Sequence, residues 1–180
     1  MSSDAVPVSC TGGFISGRGT GIDPPSPRES AFVAVSGREI VTFGKFPNDD
    51  MLGYLDFHKI NCDALTVLVI EMVGTYGMPV GSEVFETCLW IGRFIERWRG
   101  KYEKILRATV RANLCHSNKA TDSNVRAALI ERYGGQTAAI GNVKAKGPLH
   151  GVTGDVWSAL AVLETYRDRA DEGSGKGFLR

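Results

Sequence analysis

The sequence is marked first by what it lacks. It has no uninterrupted apolar run of about 18 residues, the length a helix needs to cross a bilayer, so no membrane-spanning helix is expected. Its first residues, MSSDAVPVSC, carry neither the basic cluster nor the apolar stretch of a secretory leader. The four cysteines, Cys10, Cys62, Cys88 and Cys115, are widely spaced and contain no CxxC pair, which argues against a disulfide framework and against a zinc site. The expectation is a soluble cytoplasmic protein with reduced thiols and no membrane partner.

Net charge is nearly absent too, at +1, but it is not evenly spread. Residues 97–146 hold eleven Lys or Arg against three acids, a net +8, so the rest of the chain carries −7. Segregated basic charge suits a polyanionic partner, and acids gathered elsewhere suit a separate carboxylate centre. A solvated basic face is the plainer reading of the same residues.

With 180 residues and 43% apolar content, the chain suffices for one domain with a substantial core. The expected organisation is a flexible segment over 1–17, a folded domain over 18–170 and a flexible tail over 171–180. AFVAVSGREIVTFGKFP reads as a hairpin turning at Ser36-Gly37, and NDDMLGYLDFHKI as a helix with Met51, Leu52, Leu55 and Ile60 on its apolar side. ALTVLVIEMV is a continuous β-branched run, the pattern of a strand buried on both faces. After the glycine-rich GTYGMPVG, the segment SEVFETCLWIGRFIERW predicts an amphipathic helix capped by Ser82, with Val84, Cys88, Ile91, Ile95 and Trp98 as its stripe. Phe85, Leu89 and Trp90 widen that stripe, and a second apolar face points to a homodimer contact, with Trp90 or Phe94 facing outward. KILRATVRANL predicts a short strand and a basic helix. ATDSNVRAALIERYGG predicts a helix from Asp122 or Ser123 to Gly134-Gly135, and GDVWSALAVLETYRDR a last helix opened by Asp155. The closing DRADEGSGKGFLR looks too polar to pack.

Three carboxylates stand out. Asp23 follows an early strand, Glu71 interrupts the buried run, and Asp155 begins the last helix. A carboxylate in a buried strand requires a cation, a hydrogen-bond partner or a metal, whereas Asp23 and Asp155 have turn and helix capping as simpler explanations. In an α/β sheet these element ends can meet at one edge, where oxygen ligands suit Mg²⁺ and phosphoryl displacement.

The motifs that carry these acids resemble a known family. IDPPSPRESAFV, VIEMV, VRANLCHSNKATDSNVRAALIERYG and DVWSALAV are similar, in that order, to the segments of RuvC-like Holliday junction resolvases, nearest the bacteriophage branch. The likeness runs from about Gly21 to Glu164. It implies an RNase H-like three-layer α/β fold with a central mixed sheet, a homodimer, and nicking of four-way junctions and other branched DNA. The implied cofactor is Mg²⁺, with Mn²⁺ able to substitute, held by Asp23, Glu71 and Asp155 as metal ligands and catalytic residues. A phage-encoded member would act in the host cytoplasm. Two departures from the family pattern are Pro25 where a glycine is usual, and Ser158 where many relatives have a second aspartate. Ser158 and His150 are auxiliary candidates, while Arg111, Lys119, Arg126, Lys144 and Lys146 are expected on phosphates and Tyr76 on an unpaired base. A flap or RNA–DNA hybrid nuclease and a non-catalytic branched-DNA-binding module remain the alternatives.

Overall fold

Residues 19–23, 28–61, 66–74 and 81–173 are described in a computed structural model. Five strands form one mixed sheet in the order β3-β2-β1-β4-β5: β1 (Gly19–Asp23), β2 (Glu29–Ser36), β3 (Glu39–Pro47), β4 (Val67–Met72) and β5 (Lys101–Leu106). The β1/β2 and β2/β3 pairs are antiparallel, and β1/β4 and β4/β5 are parallel. The hairpin turns at Gly37-Arg38, one residue later than expected, because Gly37 supplies the positive φ of 60° that the turn needs.

Alternation along the strands builds two cores, one on each face. Phe32, Leu68 and Ile70 meet Met51, Leu52 and Leu55 of α1 (Asn48–Asn61) and Ile91, Phe94 and Trp98 of α2 (Ser82–Trp98). On the other face, Ala31, Val33, Val35, Val67, Val69 and Ile105 meet the buried side of α6 (Val156–Gly173), whose Ala159, Leu160, Val162 and Leu163 are fully covered. Val110 of α3 (Arg107–Cys115), Val125 and Leu129 of α4 (Asp122–Arg132), and Ala139 of α5 (Gly135–Ala139) complete that layer. β4 is buried on both faces from Val67 to Ile70, as that apolar run requires. Among the described residues no helix is long and apolar enough to cross a membrane.

Four sequence expectations need correction. Ser82 does not cap α2; the N-cap residue is Gly81, with no side-chain bond. The buried stripe of α2 is Thr87, Ile91, Phe94 and Trp98, so Phe94 packs in the core at 0% exposure and does not face outward. The Thr87 hydroxyl donates to the Glu83 carbonyl at 2.8 Å, which lets that polar residue sit on the covered side. Finally, the polar end of the chain is not wholly unpacked: α6 runs to Gly173, and Asp168 is tied to Arg132 at 2.8 Å. Cys10 and Cys62 lie outside the described residues, while Cys88 and Cys115 are free thiols.

Candidate functional site

Glu71 occupies the last turn of the α6-side alternation on β4, after Val67 and Val69, and it remains buried. The strand ends there, so the carboxylate stands where the sheet opens to a cavity. The parallel partner β5 ends at Leu106, opposite Met72, and α3 begins at the next residue. That junction sets the Arg107 guanidinium 3.4 Å from the Glu71 carboxylate, supplying the cation that a buried acid demands. Arg111 follows one helical turn later on the same face.

The turn after α3 reverses through His116, at φ 54°, and α4 starts behind a reciprocal capping box between Thr121 and Asn124. Asp122, the first residue of α4, receives Arg107 at 3.1 Å and Arg111 at 3.2 Å on the same Oδ1 atom. Burial pushes the Asp122 carboxyl up, but the two guanidinium groups outweigh it and hold it below the usual carboxylate range.

Asp155 stands immediately before α6, its backbone carbonyl accepting from the Ser158 and Ala159 amides at 3.0 and 3.1 Å. Its side chain therefore has another partner: Lys45 of β3 stands 3.0 Å away and also reaches Glu29 at 3.1 Å. Hydrogen bonds to Asp155 and then Glu29 raise the Lys45 ammonium above its ordinary value. Glu71, Asp155, Ser158, Arg107, Arg111, Asp122, Arg126 and Trp157 line one open cavity of about 420 Å³. The guanidinium of Arg126 lies 5.0 Å from the Trp157 ring centroid, within cation–π range.

Asp23 is described by its backbone alone. It closes β1, opposite Ala31 of β2, and the parallel register pairs its neighbour Ile22 with Ile70, the residue before Glu71. The strand ends carrying Asp23 and Glu71 are therefore adjacent. Among the described residues no group of three acidic, histidine or cysteine side chains converges on one point. Three carboxylates, Glu71, Asp122 and Asp155, line the same cavity, each faced by a cation, beside the end of the strand that bears Asp23. An oxygen-only donor set of this kind fits a hard divalent cation and suits neither zinc nor copper.

Other expected residues fall elsewhere. Lys119 is exposed in the turn before α4, and Lys144 and Lys146 project from the 141–150 loop. That loop is held tightly: Asn142 accepts from the Lys144 and Ala145 amides at 2.9 and 3.0 Å, and Gly147 sits where any Cβ would meet the Ala138 and Ala139 carbonyls at 2.3 Å. His150 is bonded through Nδ1 to the Ile140 carbonyl at 3.0 Å and does not line the cavity. Tyr76 lies outside the described residues. Sequence reasoning missed Lys45, Arg107, Asp122 and Trp157 as site residues. The i, i+4 spacing of Arg107 and Arg111 at the start of a basic helix was the one signal available for any of them.

No protein-family model matches the sequence, and no curated protein matches it. Among solved structures, RuvC of Thermus thermophilus is similar at 14% identity, with a TM-score of 0.57 over 86% of this chain and 96% of that one. The structure of T. thermophilus RuvC in complex with Holliday junction substrate is similar to the same degree, with a TM-score of 0.56 over 86% of this chain and 95% of that one. The likeness establishes the fold, a mixed α/β arrangement of the RNase H-like kind shared with RuvC.

Proposed function

We propose that this chain is a metal-dependent, structure-selective DNA endonuclease that nicks Holliday junctions and other branched DNA by phosphodiester hydrolysis. The observation that carries the reading is the meeting of Glu71 from the end of β4 and Asp155 from the start of α6 in one cavity rimmed by Arg107, Arg111 and Arg126. A solved neighbour, RuvC, is known in complex with Holliday junction substrate, which supports branched DNA as the partner here.

Asp23, Glu71 and Asp155 are the residues that would hold Mg²⁺ or Mn²⁺, with Ser158 contributing at most a neutral hydroxyl. When bound, the ion supplies an activated water and charge stabilisation for the attacking and leaving oxygens. The chain's own residues do the rest. Arg107 and Lys45 keep Glu71 and Asp155 charge-balanced until substrate arrives, so neither acid is left uncompensated. Arg111 and Arg126 neutralise the phosphates flanking the scissile bond, and Lys119, Lys144 and Lys146 extend the basic surface over the arms of the branch. Tyr76 stacks on an unpaired base at the branch point. Hydrolysis leaves a 5′-phosphate and a 3′-hydroxyl.

The reading extends to a homodimer in the cytoplasm, of the bacteriophage branch of resolvases. Two symmetry-related sites give paired nicks a geometric basis. The exposed apolar face of α2, Phe85 at 63% and Leu89 at 64% exposure, is its contact. One specific observation favours a second reading, a non-catalytic branched-DNA-binding module: all three acids that line the cavity, Glu71, Asp122 and Asp155, already have cation partners. The deciding experiment compares wild type with Glu71→Gln on a four-way junction, a flap, an RNA–DNA hybrid and a linear duplex, with and without Mg²⁺. Mg²⁺-dependent cleavage of the junction above all, lost in Glu71→Gln, is the expected result. Preferential cleavage of the flap or hybrid selects another nuclease of this fold, and binding without cleavage selects the module.

A further inference from the structure

Two guanidinium groups rarely converge on one oxygen by accident, because their like charges repel unless an anion lies between them. Here Arg107 Nη2 and Arg111 Nη2 both donate to Asp122 Oδ1, at 3.1 and 3.2 Å. The point they share is a ready position for an anionic oxygen, and it lies on the wall of the cavity that holds Glu71 and Asp155. A second, independent observation marks the same wall as incomplete. Among the described residues, Arg111 Nε and Trp157 Nε1 are buried donors with no hydrogen-bond partner, and both residues line this cavity. A buried N–H without an acceptor costs free energy in the unliganded protein, and a ligand rich in acceptor oxygens removes that cost once the Arg111 and Trp157 side chains turn to meet it. Asp122 is also the easier partner to displace: its side chain is 68% exposed, whereas Glu71, the other acid on Arg107, is 9% exposed.

We propose that Arg107 and Arg111 form a phosphate clamp whose resting occupant is Asp122, and that a backbone phosphodiester of bound DNA replaces the Asp122 carboxylate between the two guanidinium groups. The exchange makes and breaks no covalent bond; one anion substitutes for another. Arg107 then has two states. At rest it bridges Asp122 and Glu71. With DNA it turns to phosphate, and its hold on Glu71 weakens at the moment that acid is needed. Asp122 is a positioning residue in this scheme, acting through the arginines and never touching substrate. The proposal rests on the nucleic-acid reading of the cavity and adds to it the identity of the clamp and its internal competitor.

The competition has a signature that a purely structural role for Asp122 would not produce. An arginine already neutralised by Asp122 releases few counterions when it meets a phosphate, so removing the acid should steepen the salt dependence of binding as well as tighten it. Binding of a labelled four-way junction in EDTA, followed by fluorescence anisotropy across a salt series, is the measurement. Asp122→Asn should bind about three- to tenfold tighter at low salt, with a log–log salt slope steeper by about one. Asp49→Asn, which removes an equal charge from α1 on the opposite face of the sheet, should shift affinity by less than about twofold. Arg107→Gln should weaken binding, and adding Asp122→Asn to it should restore less than Asp122→Asn gains alone, as expected when the acid and the arginine share one interaction. If Asp122→Asn melts appreciably below wild type, Asp122→Ser, which keeps a good helix-starting residue, carries the same expectation.

An unchanged or weaker affinity with an unchanged slope in a folded Asp122 variant overturns the clamp, as does an equal gain from Asp49→Asn. The same preparations assayed with Mg²⁺ separate the two claims. Wild type that binds the junction but never cleaves it sinks the endonuclease reading while the Asp122→Asn gain still upholds the clamp. Cleavage by wild type without that gain sinks the clamp alone, and absence of any junction binding by wild type sinks both.

Discussion

Helix α6 carries two charged clusters, one at its start and one around its middle, and they differ in what they leave unfinished. At its start, Asp155, Ser158 and Trp157 face an open cavity with Glu71, Arg107, Arg111 and Asp122, and two buried donors there lack acceptors among the described residues. Farther along, Glu164 is 6% exposed and closed in on all sides. Arg132 reaches it at 3.4 Å, the Tyr133 hydroxyl donates to it at 3.0 Å, and Arg167 pairs with it while also bonding the Gly37 carbonyl of the β2–β3 turn. Arg132 and Asn113 both bond Asp168, so α3, α4, α6 and the hairpin are tied together. Burial first, and then the Glu164 carboxylate, push the Tyr133 phenol well above its ordinary value, which keeps it a neutral donor. Both clusters pair carboxylates with arginines. Satisfaction separates them: a complete network stabilises, whereas an incomplete one beside open space awaits a ligand.

The comparison breaks most visibly in activity. Glu71→Gln and Asp155→Asn, with Asp23→Asn, should each lower junction cleavage by roughly 10³-fold or more, several kcal/mol of transition-state stabilisation, while leaving junction binding largely intact. Rapid-quench cleavage rates at saturating enzyme are the check; any of the three with wild-type turnover is not a site residue. In stability the order reverses. Glu164→Gln leaves Arg167 short of a buried partner and should cost about 3 kcal/mol, the low end for a broken buried pair because Arg132 keeps Asp168. At this chain length that is a fall in Tm of roughly 6–12 °C by calorimetry, with cleavage preserved well below the transition.

How much of this contrast the amino-acid sequence discloses depends on whether partners are local. Glu71 stands out because a carboxylate inside VLVIEM violates the pattern of a doubly buried strand. Glu164 does not, because it sits in a helix and two of its three partners, Arg132 and Tyr133, lie more than 30 residues away, only Arg167 being near in sequence. Arg107 is equally opaque: its place beside Glu71 follows from the β4–β5 register and the absence of any loop between β5 and α3, neither of which one segment reveals. Strands and helices were legible from periodicity, whereas the mixed three-layer arrangement came from the resemblance to RuvC-like resolvases. The phase of α2 was not, since apolar residues cover most of that helix and several stripes fit equally well; packing against α1 and β4 selected Ile91, Phe94 and Trp98.

That same helix sharpens the comparison on its two faces. Phe85→Glu with Leu89→Glu should give a folded monomer that binds junctions weakly and nicks singly, whereas Phe94→Glu should abolish folding by placing a charge at a fully buried position. Sedimentation velocity and circular dichroism distinguish the outcomes, and a wild-type monomer at micromolar concentration would remove the dimer from the account.

The smallest effect is a pH dependence. The arginines hold the folded Asp122 carboxyl below 3.8, so their pairing stabilises the protein above that pH and is lost as pH falls through the folded value. Because Asp122 is largely exposed, the contribution is a few tenths of a kcal/mol. The Tm difference between wild type and Asp122→Asn should be small near pH 6 and vanish toward pH 2; a difference that grows on acidification would contradict the pairing.

The most direct test of the central claim, that the cavity at the start of α6 is the catalytic centre and the Glu164 network is not, sets Glu71→Gln beside Glu164→Gln in one single-turnover cleavage assay. The substrate is a four-way junction in Mg²⁺, at a temperature where both variants are folded. The account predicts that Glu71→Gln is folded and inactive, and that Glu164→Gln is less stable and cleaves at close to the wild-type rate. Wild-type turnover by folded Glu71→Gln, or loss of turnover confined to folded Glu164→Gln, would contradict it.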